Sequence, residues 1–271
     1  MDDVVQQAVA ADYDSLDGFY RTVFGGRVHH AWWGDGAETL AAGLLEMERR
    51  FTEFVELAPG MNVCDVGCGY GKMASSWVRD HGVRVTAVTN SGVQAAAMEG
   101  LPGLVPVHAD WSGWNAPAAA FDRVVAMESL EHMSAPAAEV AKMARALAPG
   151  GKLVLAVWLM PESTCFRWLW RFIRKTGGLA GIASDADVRG WLRDAGLECV
   201  EELDLASGVG KTWTACLAVT LREALANGVF RRKLLADWRN NAMRGAAALA
   251  VAVCYATGHA GYRFFKAARV G

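Results

Sequence analysis

The sequence has no apolar run long enough to cross a membrane. Its longest run, Ala246 to Ala256, reaches about half of the roughly 20 residues that a membrane-spanning helix needs. The acidic stretch at residues 1–14 also lacks the basic segment and apolar core of a secretory signal peptide. These absences predict a soluble, cytoplasmic protein without an integral membrane span. Residues 246–256 are instead predicted to form a buried helix.

Strong net charge and metal-type cysteine spacing are absent as well. The 271 residues carry a formal net charge of −2, which gives no global attraction to nucleic acid. Only Cys64 and Cys68 of the six cysteines lie close together, and no second pair has the spacing of a zinc site. We therefore predict reduced, buried thiols and no metal. By contrast, 53% hydrophobic residues and 11 Trp predict a large core, and they also suit an apolar or aromatic ligand.

Strand and helix patterns alternate along most of the chain. Strands are predicted at residues 63–66, 83–89, 104–108, 121–127, 152–158, 198–205 and 262–270. Helices are predicted in the first 57 residues, after residue 71, and at residues 92–99, 135–147, 160–178 and 207–258. This alternation predicts an α/β fold, with a seven-stranded, mostly parallel sheet and helices on both faces. We predict one domain over residues 1–271, with a helical cap at 1–57, a ligand-binding core at 58–158, and further cap helices and closing strands at 159–271.

A glycine-rich turn lies between the first predicted strand and the helix that follows it. The turn contains Gly67, Gly69 and Gly71, which let backbone N–H groups approach a ligand without an intervening Cβ. Its G-x-G-x-G spacing differs from both the dinucleotide fingerprint and the phosphate-binding P-loop. Asp65 stands two places before the first glycine, and a carboxylate there suits a cationic or amino-bearing ligand.

Further motifs follow the next strands, at residues 85–94 (VTAVTNSGVQ), 108–111 (HADW) and 127–133 (MESLEHM). With DVGCGYG at residues 65–71, they resemble class I S-adenosylmethionine-dependent methyltransferases. The resemblance is greatest to the γ-tocopherol methyltransferase and cyclopropane-fatty-acid-synthase-like branch of small-molecule enzymes. It implies a Rossmann-like fold, S-adenosyl-L-methionine as cofactor and S-adenosyl-L-homocysteine as product.

The resemblance also implies which residues bind the cofactor. They are Asp65, Gly67, Cys68, Gly69, Gly71, Thr89, Asn90, Gln94, Asp110, Trp111 and Met127. Most such enzymes end the second strand with an acidic residue for the ribose hydroxyls. Here Thr89 has that position, and polar side chains with Gln94 take over the contact, as they do in the named branch. Asp110 is expected to accept a hydrogen bond from the adenine amino group, and Trp111 to pack on the adenine face.

Two residues after the fourth strand, Glu131 and His132, are the predicted catalytic residues. Methyl transfer from a sulfonium mainly requires that the acceptor be held in line with the methyl group. Where the acceptor loses a proton, a carboxylate or imidazole here is placed to take it, and such a base contributes about 10²–10⁴-fold. In the alternative interpretation, His132 packs beside the cofactor and Glu131 orients a loop.

An aromatic loop in the N-terminal cap supplies most of the predicted substrate contacts. His30, Trp32 and Trp33 are assigned to the substrate together with Glu128, because relatives fold this segment over the cofactor and exclude water. Ordinary aromatic packing of the cap is the alternative. The neighbouring pair of histidines lacks a carboxylate or thiolate at ligand spacing, so no metal is expected there.

The predicted acceptor is a lipophilic small molecule, such as a prenylated, terpenoid or aromatic natural product. Carbon methylation is predicted, through a carbocation quenched by a base where the acceptor is an alkene. Two alternatives stay open: N- or O-methylation of an alkaloid or glycoside, and a cyclase that retains the cofactor as a structural group. A nucleic-acid methyltransferase is disfavoured, because no N-P-P-Y motif follows the fourth strand and the net charge is negative. The sequence leaves a homo-oligomer open.

One basic segment, residues 166–175 (FRWLWRFIRK), is left without an assigned role. It places Arg167, Arg171, Arg174 and Lys175 on one helical face. A solvated face of a lid helix, a site for an anionic substrate group such as a diphosphate, and a contact with a membrane surface are the three interpretations.

Overall fold

A seven-stranded sheet forms the centre of the protein in the computed structural model, which describes residue 11 and residues 13–161 and 166–269. The strands are Asn62–Val66 (β1), Arg84–Thr89 (β2), Leu104–His108 (β3), Phe121–Met127 (β4), Leu147–Leu159 (β5), Leu197–Asp204 (β6) and Gly261–Arg269 (β7). Their order is β3-β2-β1-β4-β5-β7-β6, and β7 runs antiparallel to both of its neighbours. The predicted Rossmann-like α/β fold is confirmed.

Helices cover both faces of this sheet. Within the described residues they are Asp17–Phe24 (α1), Leu40–Val55 (α2), Lys72–His81 (α3), Gly92–Met98 (α4), Pro136–Ala146 (α5), Arg167–Thr176 (α6), Asp185–Asp194 (α7), Ala206–Val209 (α8), Lys211–Ala226 (α9), Gly228–Ala236 (α10) and Trp238–Ala256 (α11). Helix α7 was not predicted. Its signal is a capping box, in which Ser184 and Asp187 satisfy each other's backbone N–H groups.

The sequence of strands places a ligand site at one edge of the sheet. Strand β1 pairs in parallel with β2 on one side and β4 on the other, so the order of connections reverses between β1 and β4. Ligands bind outside the carboxyl ends of the strands at such a reversal. The glycine turn after β1 and the segment after β4 therefore lie side by side.

Helix α11 corrects one prediction. It buries Ala250, Val251 and Cys254, but Leu249 and Val253 are 53% and 46% exposed. Its apolar sequence led to the prediction of an all-round buried helix, and this prediction is wrong for one face. The core covers only the side of the helix that packs against α6 and α9.

Two adjacent leucines of α2 provide a matched test of the core. Leu44 is 1% exposed and Leu45 is 52% exposed. We expect Leu44→Ala to lower the free energy of unfolding by about 2–5 kcal/mol, because it removes buried methyl groups and leaves a cavity. Leu45→Ala should stay within about 0.5 kcal/mol of the wild type. Urea denaturation followed by circular dichroism measures both, and equal losses would contradict the placement of α2.

Candidate active site

A cleft opens at the carboxyl ends of β1, β2, β3 and β4, and it encloses about 990 Å³ of non-atom space including its open mouth. Twelve of the predicted site residues line it: Asp65, Gly67, Cys68, Gly69, Thr89, Asn90, Gln94, Asp110, Trp111, Met127, Glu128 and His132. Because these residues come from four separate strand ends, the fold itself assembles the site.

The glycine turn holds its shape by backbone conformation and close packing. Gly67 and Gly69 have φ values of 76° and 55°, in the left-handed region that side chains disfavour. A Cβ on Gly67 would lie 2.4 Å from the Cβ of Ser129, whereas a Cβ on Gly69 would have no protein atom within 4 Å. Gly71 does not line the cleft; a Cβ there would meet the sulfur of Met98 at 2.4 Å. Gly69 is therefore the glycine that leaves room for a ligand.

Asp65 faces this cleft with an unsatisfied oxygen. The side chain is buried, and within the part of the chain that the structure describes its Oδ2 atom has no hydrogen-bond partner. Burial, together with the nearby charge of Glu48, raises the pKa of the Asp65 carboxyl to about 7. A ligand ammonium group would supply both the missing donor and the missing positive charge. The residue therefore fits the methionine amino group of the predicted cofactor.

The predicted ribose and adenine contacts are pre-arranged by hydrogen bonds. The Thr89 hydroxyl donates to Oε1 of Gln94 at 2.6 Å, at the carboxyl end of β2. Asp110 accepts hydrogen bonds from the backbone and hydroxyl of Ser112. Trp111 is buried beside it. These side chains all line the cleft, so they are positioned for the roles that the sequence assigned to them.

Glu128 is held as a buried anion at the end of β4. Its Oε1 accepts from the His30 backbone N–H at 2.7 Å and the Tyr262 hydroxyl at 2.6 Å. Its Oε2 accepts from His30 Nδ1 at 3.0 Å and Trp158 Nε1 at 2.7 Å. Burial alone would raise the pKa of Glu128, but the hydrogen bonds from His30 and Tyr262 act in the opposite direction and hold the pKa below its usual range. The backbone of Glu128 has φ 51°, a strained value that these bonds maintain.

His30 supports Glu128 from behind the cleft wall. It is fully buried, and its Nε2 accepts a hydrogen bond from the Trp213 indole at 3.0 Å. Because an indole N–H can only donate, Nε2 carries no proton and Nδ1–H faces Glu128. The rings of Trp158, Trp213 and Tyr262 lie 4.6–5.4 Å from the His30 ring. The structure therefore places His30 outside the cleft.

Trp32 and Trp33 also lie away from the cleft. The Trp33 indole donates to the Thr212 hydroxyl at 3.3 Å. Trp32 lies under the guanidinium of Arg50, at 4.3 Å from the ring centroid, and packs against Gly208. Both side chains connect the N-terminal loop to the region of α8 and α9. Neither is brought to the cofactor side by this structure.

The two predicted catalytic residues are separated by the backbone. Glu131 is buried away from the cleft, and its Oε1 accepts from the Trp158 backbone N–H at 2.7 Å. Burial raises the pKa of the Glu131 carboxyl to about 8. His132 lines the cleft, with Nδ1 bonded to the Gly178 carbonyl at 3.2 Å and Nε2 to the Tyr13 hydroxyl at 3.2 Å. Only His132 is accessible to an acceptor.

A charged cluster in the cleft wall was not foreseen. Arg27 and His29 contact Glu48 at 3.0 and 3.4 Å, and all three line the cleft. Burial would lower the pKa of His29, but the hydrogen bond and charge of Glu48 raise it. The sequence carries no local signal for this cluster, because Glu48 lies 19 residues from its histidine partner on another element. Among the described residues, no group of three or more His, Cys, Asp or Glu is placed to hold a metal ion.

Comparison with known families agrees with these motifs. Residues 38–202 match the family described as a methyltransferase domain. The 27-O-demethylrifamycin SV methyltransferase of Amycolatopsis mediterranei is 28% identical over 215 residues, which cover 76% of this chain and 79% of the relative. The chloroplastic tocopherol O-methyltransferase of Arabidopsis thaliana is 25% identical over 246 residues, 81% of this chain and 71% of the relative.

Solved structures share the fold along nearly the whole chain. The [4+2]-cyclase SpnF has a TM-score of 0.80 and 27% identity, covering 98% of this chain and 97% of its own. The mycolic acid cyclopropane synthase CmaA1, complexed with SAH and CTAB, has a TM-score of 0.82 with 19% identity and 96% coverage of both chains. At that identity the second likeness shows the fold alone.

The open space at Gly69 predicts a selective loss of cofactor binding. Gly69→Ala should weaken S-adenosylhomocysteine binding by about tenfold to a hundredfold, because its methyl group would overpack the ligand. Gly150→Ala is the control, since Gly150 has φ 76° and no protein atom near a Cβ, but it lies outside the cleft. Both variants carry the same backbone strain of about 1–2 kcal/mol. Isothermal calorimetry measures the affinities, and an equal effect of both variants would exclude contact at Gly69.

The raised pKa of Asp65 predicts pH-dependent cofactor binding. Below about pH 7 the free carboxyl is protonated and must release its proton to meet an ammonium group, so affinity should fall toward tenfold per pH unit. Calorimetry in two buffers of different ionisation enthalpy detects the released proton. Asp65→Asn should bind more weakly and release no proton from this position. Wild-type affinity that stays flat between about pH 5.5 and 7.5 would contradict the assignment.

Proposed function

The chain belongs to the methyltransferase domain family and is an S-adenosylmethionine-dependent methyltransferase, and we propose that its acceptor is a lipophilic small molecule with a hydroxyl group that His132 deprotonates. The position of His132 carries this proposal. Because the Gly178 carbonyl can only accept, its bond to Nδ1 places the single proton of the neutral imidazole there and leaves Nε2 unprotonated in that form. Nε2 accepts the proton when an acceptor hydroxyl takes the place of the Tyr13 hydroxyl.

Bound S-adenosylmethionine supplies a methyl group on a positively charged sulfur. The protein's own contribution is to hold the acceptor and to remove its proton. Histidine suits this step, because its ordinary pKa lies near 6.5 and a base works best with a pKa near the working pH. Glu128 does not suit it, since four donors hold the carboxylate in its charged form. We assign Glu128 to electrostatic stabilisation of positive charge in the cleft.

The lipophilic character of the acceptor rests on the lining of the cleft and on the relatives. Trp111, Met127 and Met133 supply apolar and aromatic surface beside the polar cofactor contacts. Two similar proteins carry the names of a rifamycin and a tocopherol methyltransferase, both written with an O-methyl position. These names support oxygen as the methylated atom over the carbon that the sequence suggested.

Carbon methylation of an alkene stays the second candidate because of Glu128. Methyl transfer to an alkene leaves a carbocation, and a fixed anion backed by the rings of Trp158 and Tyr262 suits such a cation. In this case His132 would remove the proton from carbon. The likeness to the cyclase SpnF supports the alternative of a cyclase with a structural cofactor, and the intact set of cofactor residues favours methyl transfer over it.

The assignment of His132 predicts how activity depends on the acidity of the acceptor. With labelled donor and a panel of phenols, prenyl alcohols, indoles and alkenes, mass spectrometry should locate the new methyl on oxygen. His132→Ala should lower kcat about 10²–10⁴-fold on a weakly acidic hydroxyl. The loss should shrink on a nitrophenol that is already ionised. A loss of equal size on both acceptors, or a methyl found on carbon, would overturn O-methylation assisted by this base.

Glu131→Gln is the companion variant. Because the native carboxyl has a pKa of about 8, it is mostly protonated at pH 7, and a glutamine amide has nearly the same shape and charge. We expect kcat at pH 7 to stay within about threefold of the wild type, since Oε1 still accepts from Trp158. A loss as large as that of His132→Ala would assign the proton transfer to Glu131 instead.

A further inference from the structure

Helix α6 exposes a face that combines positive charge with a tryptophan. It buries Leu169 and Ile173 in the core. Trp168 points outward with 64% of its surface exposed, in the same helix as the exposed Arg171, Arg174 and Lys175. A large aromatic ring left in water beside cations is unusual for a purely solvated face.

Helix α11 exposes a stripe that is wholly apolar. Met243, Ala246, Leu249 and Val253 follow one another at intervals of three or four residues, and all are exposed. The three larger side chains are 46%, 53% and 46% exposed. A single exposed leucine needs no explanation, but a row along one helix marks an interaction surface.

The two faces lie on neighbouring helices, because α6 and α11 pack against each other. Trp170 of α6 donates its indole N–H to the His259 carbonyl at 3.1 Å, just beyond the end of α11. The Phe166 ring lies 4.6 Å from the ring of the same histidine. The beginning of α6 therefore lies at the carboxyl end of α11, which brings Trp168 and Val253 to the same end of the helix pair.

The charge of this region is opposite to that of the whole chain. Helix α6 contains four basic residues and no acidic one, and residues 211–244 contain seven basic and two acidic residues, whereas the chain has a net charge of −2. The complementary partner is therefore anionic. A second copy of the chain does not meet this requirement, because a twofold contact would place two basic faces against each other.

The same helix is joined directly to the active site. The connection after α6 supplies the Gly178 carbonyl that holds Nδ1 of His132 at 3.2 Å. Two residues later, the Ala180 N–H donates to the Glu131 carbonyl at 2.8 Å. A partner bound to α6 thus lies next to the segment that carries the candidate base.

We propose that the α6–α11 face, defined by Trp168, Arg171, Arg174 and Lys175 with Met243, Leu249 and Val253, binds the surface of an anionic lipid bilayer. Trp168 and the stripe of α11 enter the headgroup boundary, and the basic side chains contact anionic headgroups. The contact is peripheral: among the described residues, no helix is long and apolar enough to cross a membrane. This inference goes beyond the proposed function and does not depend on which acceptor atom is methylated.

Vesicle co-sedimentation of the full chain tests the proposal. We expect binding to phosphatidylcholine vesicles that contain phosphatidylglycerol, much weaker binding to pure phosphatidylcholine, and weakening by salt. Arg171→Gln with Lys175→Gln should lower the partition coefficient about 25-fold, at roughly fivefold per charge removed. The control pair, Arg79→Gln with Arg193→Gln, removes two exposed charges on other helices and should change it less than about threefold.

A second pair of variants tests the apolar contribution to vesicle binding. Leu249→Ser should weaken vesicle binding, whereas Leu45→Ser, at 52% exposure on α2, should not. Calorimetric binding of S-adenosylhomocysteine shows that each variant is folded. Failure of the wild type to bind anionic vesicles, equal effects of test and control variants, or concentration-dependent dimers that Leu249→Ser abolishes would each overturn the proposal. None of these outcomes bears on methyl transfer itself. The panel of acceptors tests the proposed function separately, in the absence of vesicles.

Discussion

The buried carboxylate of Glu128 is the interaction on which the architecture of the site depends. Burying a lone carboxylate costs several kcal/mol, so it is tolerated only where donors surround it. His30 supplies two of them from the N-terminal loop, Trp158 one from β5, and Tyr262 one from β7. Glu128 thus connects the end of β4 to the N-terminal loop through His30, and to β5 and β7 through Trp158 and Tyr262.

Three carboxyl groups near this centre are driven into different protonation states by their surroundings. Glu128 has four donors and stays charged, with a pKa below its usual range. Glu131 keeps one backbone donor, and its pKa rises to about 8, so it is mostly neutral at pH 7. The pKa of the Asp65 carboxyl, about 7, lies between those of the other two, and this side chain lines the cleft. Burial raises the pKa of all three carboxyl groups, and only Glu128 has enough donors to offset it. Asp65 lines the cleft, where a ligand can supply the donor that its Oδ2 atom lacks.

Most of the sheet and most of the cofactor side of the cleft could be predicted, because local sequence patterns indicate them. Strands β3 and β4 begin and end at the predicted residues, and β1 and β2 differ by one residue at their starts. The exception is β5, which begins at Leu147 instead of the predicted residue 152 and so includes Pro149 and the two glycines after it. The far side of the cleft could not be predicted, since its partners are distant along the chain. His30 meets Glu128 across 98 residues and Tyr262 meets it across 134.

The adjacent pair Glu131 and His132 shows why a motif does not decide roles. The two residues lie in a single 3₁₀ turn, Leu130–His132, in which consecutive side chains point about 120° apart. One of them must therefore enter the core when the other faces the cleft. Glu131 is the buried residue, beside Trp158, and His132 is the residue that lines the cleft. The Gly178 carbonyl then orients the imidazole that remains.

The orientation of His132 depends on a segment that carries no sequence motif. The motif after β4 is highly specific in sequence, yet its imidazole is oriented by the connection after α6, which belongs to the least specific part of the sequence. Changes in that connection would alter the tautomer or direction of His132 without touching a motif residue. Enzymes with the same cofactor motifs can therefore differ in acceptor and in methylated atom. The segment around α6 therefore carries both the exposed basic face and the carbonyl that contacts His132.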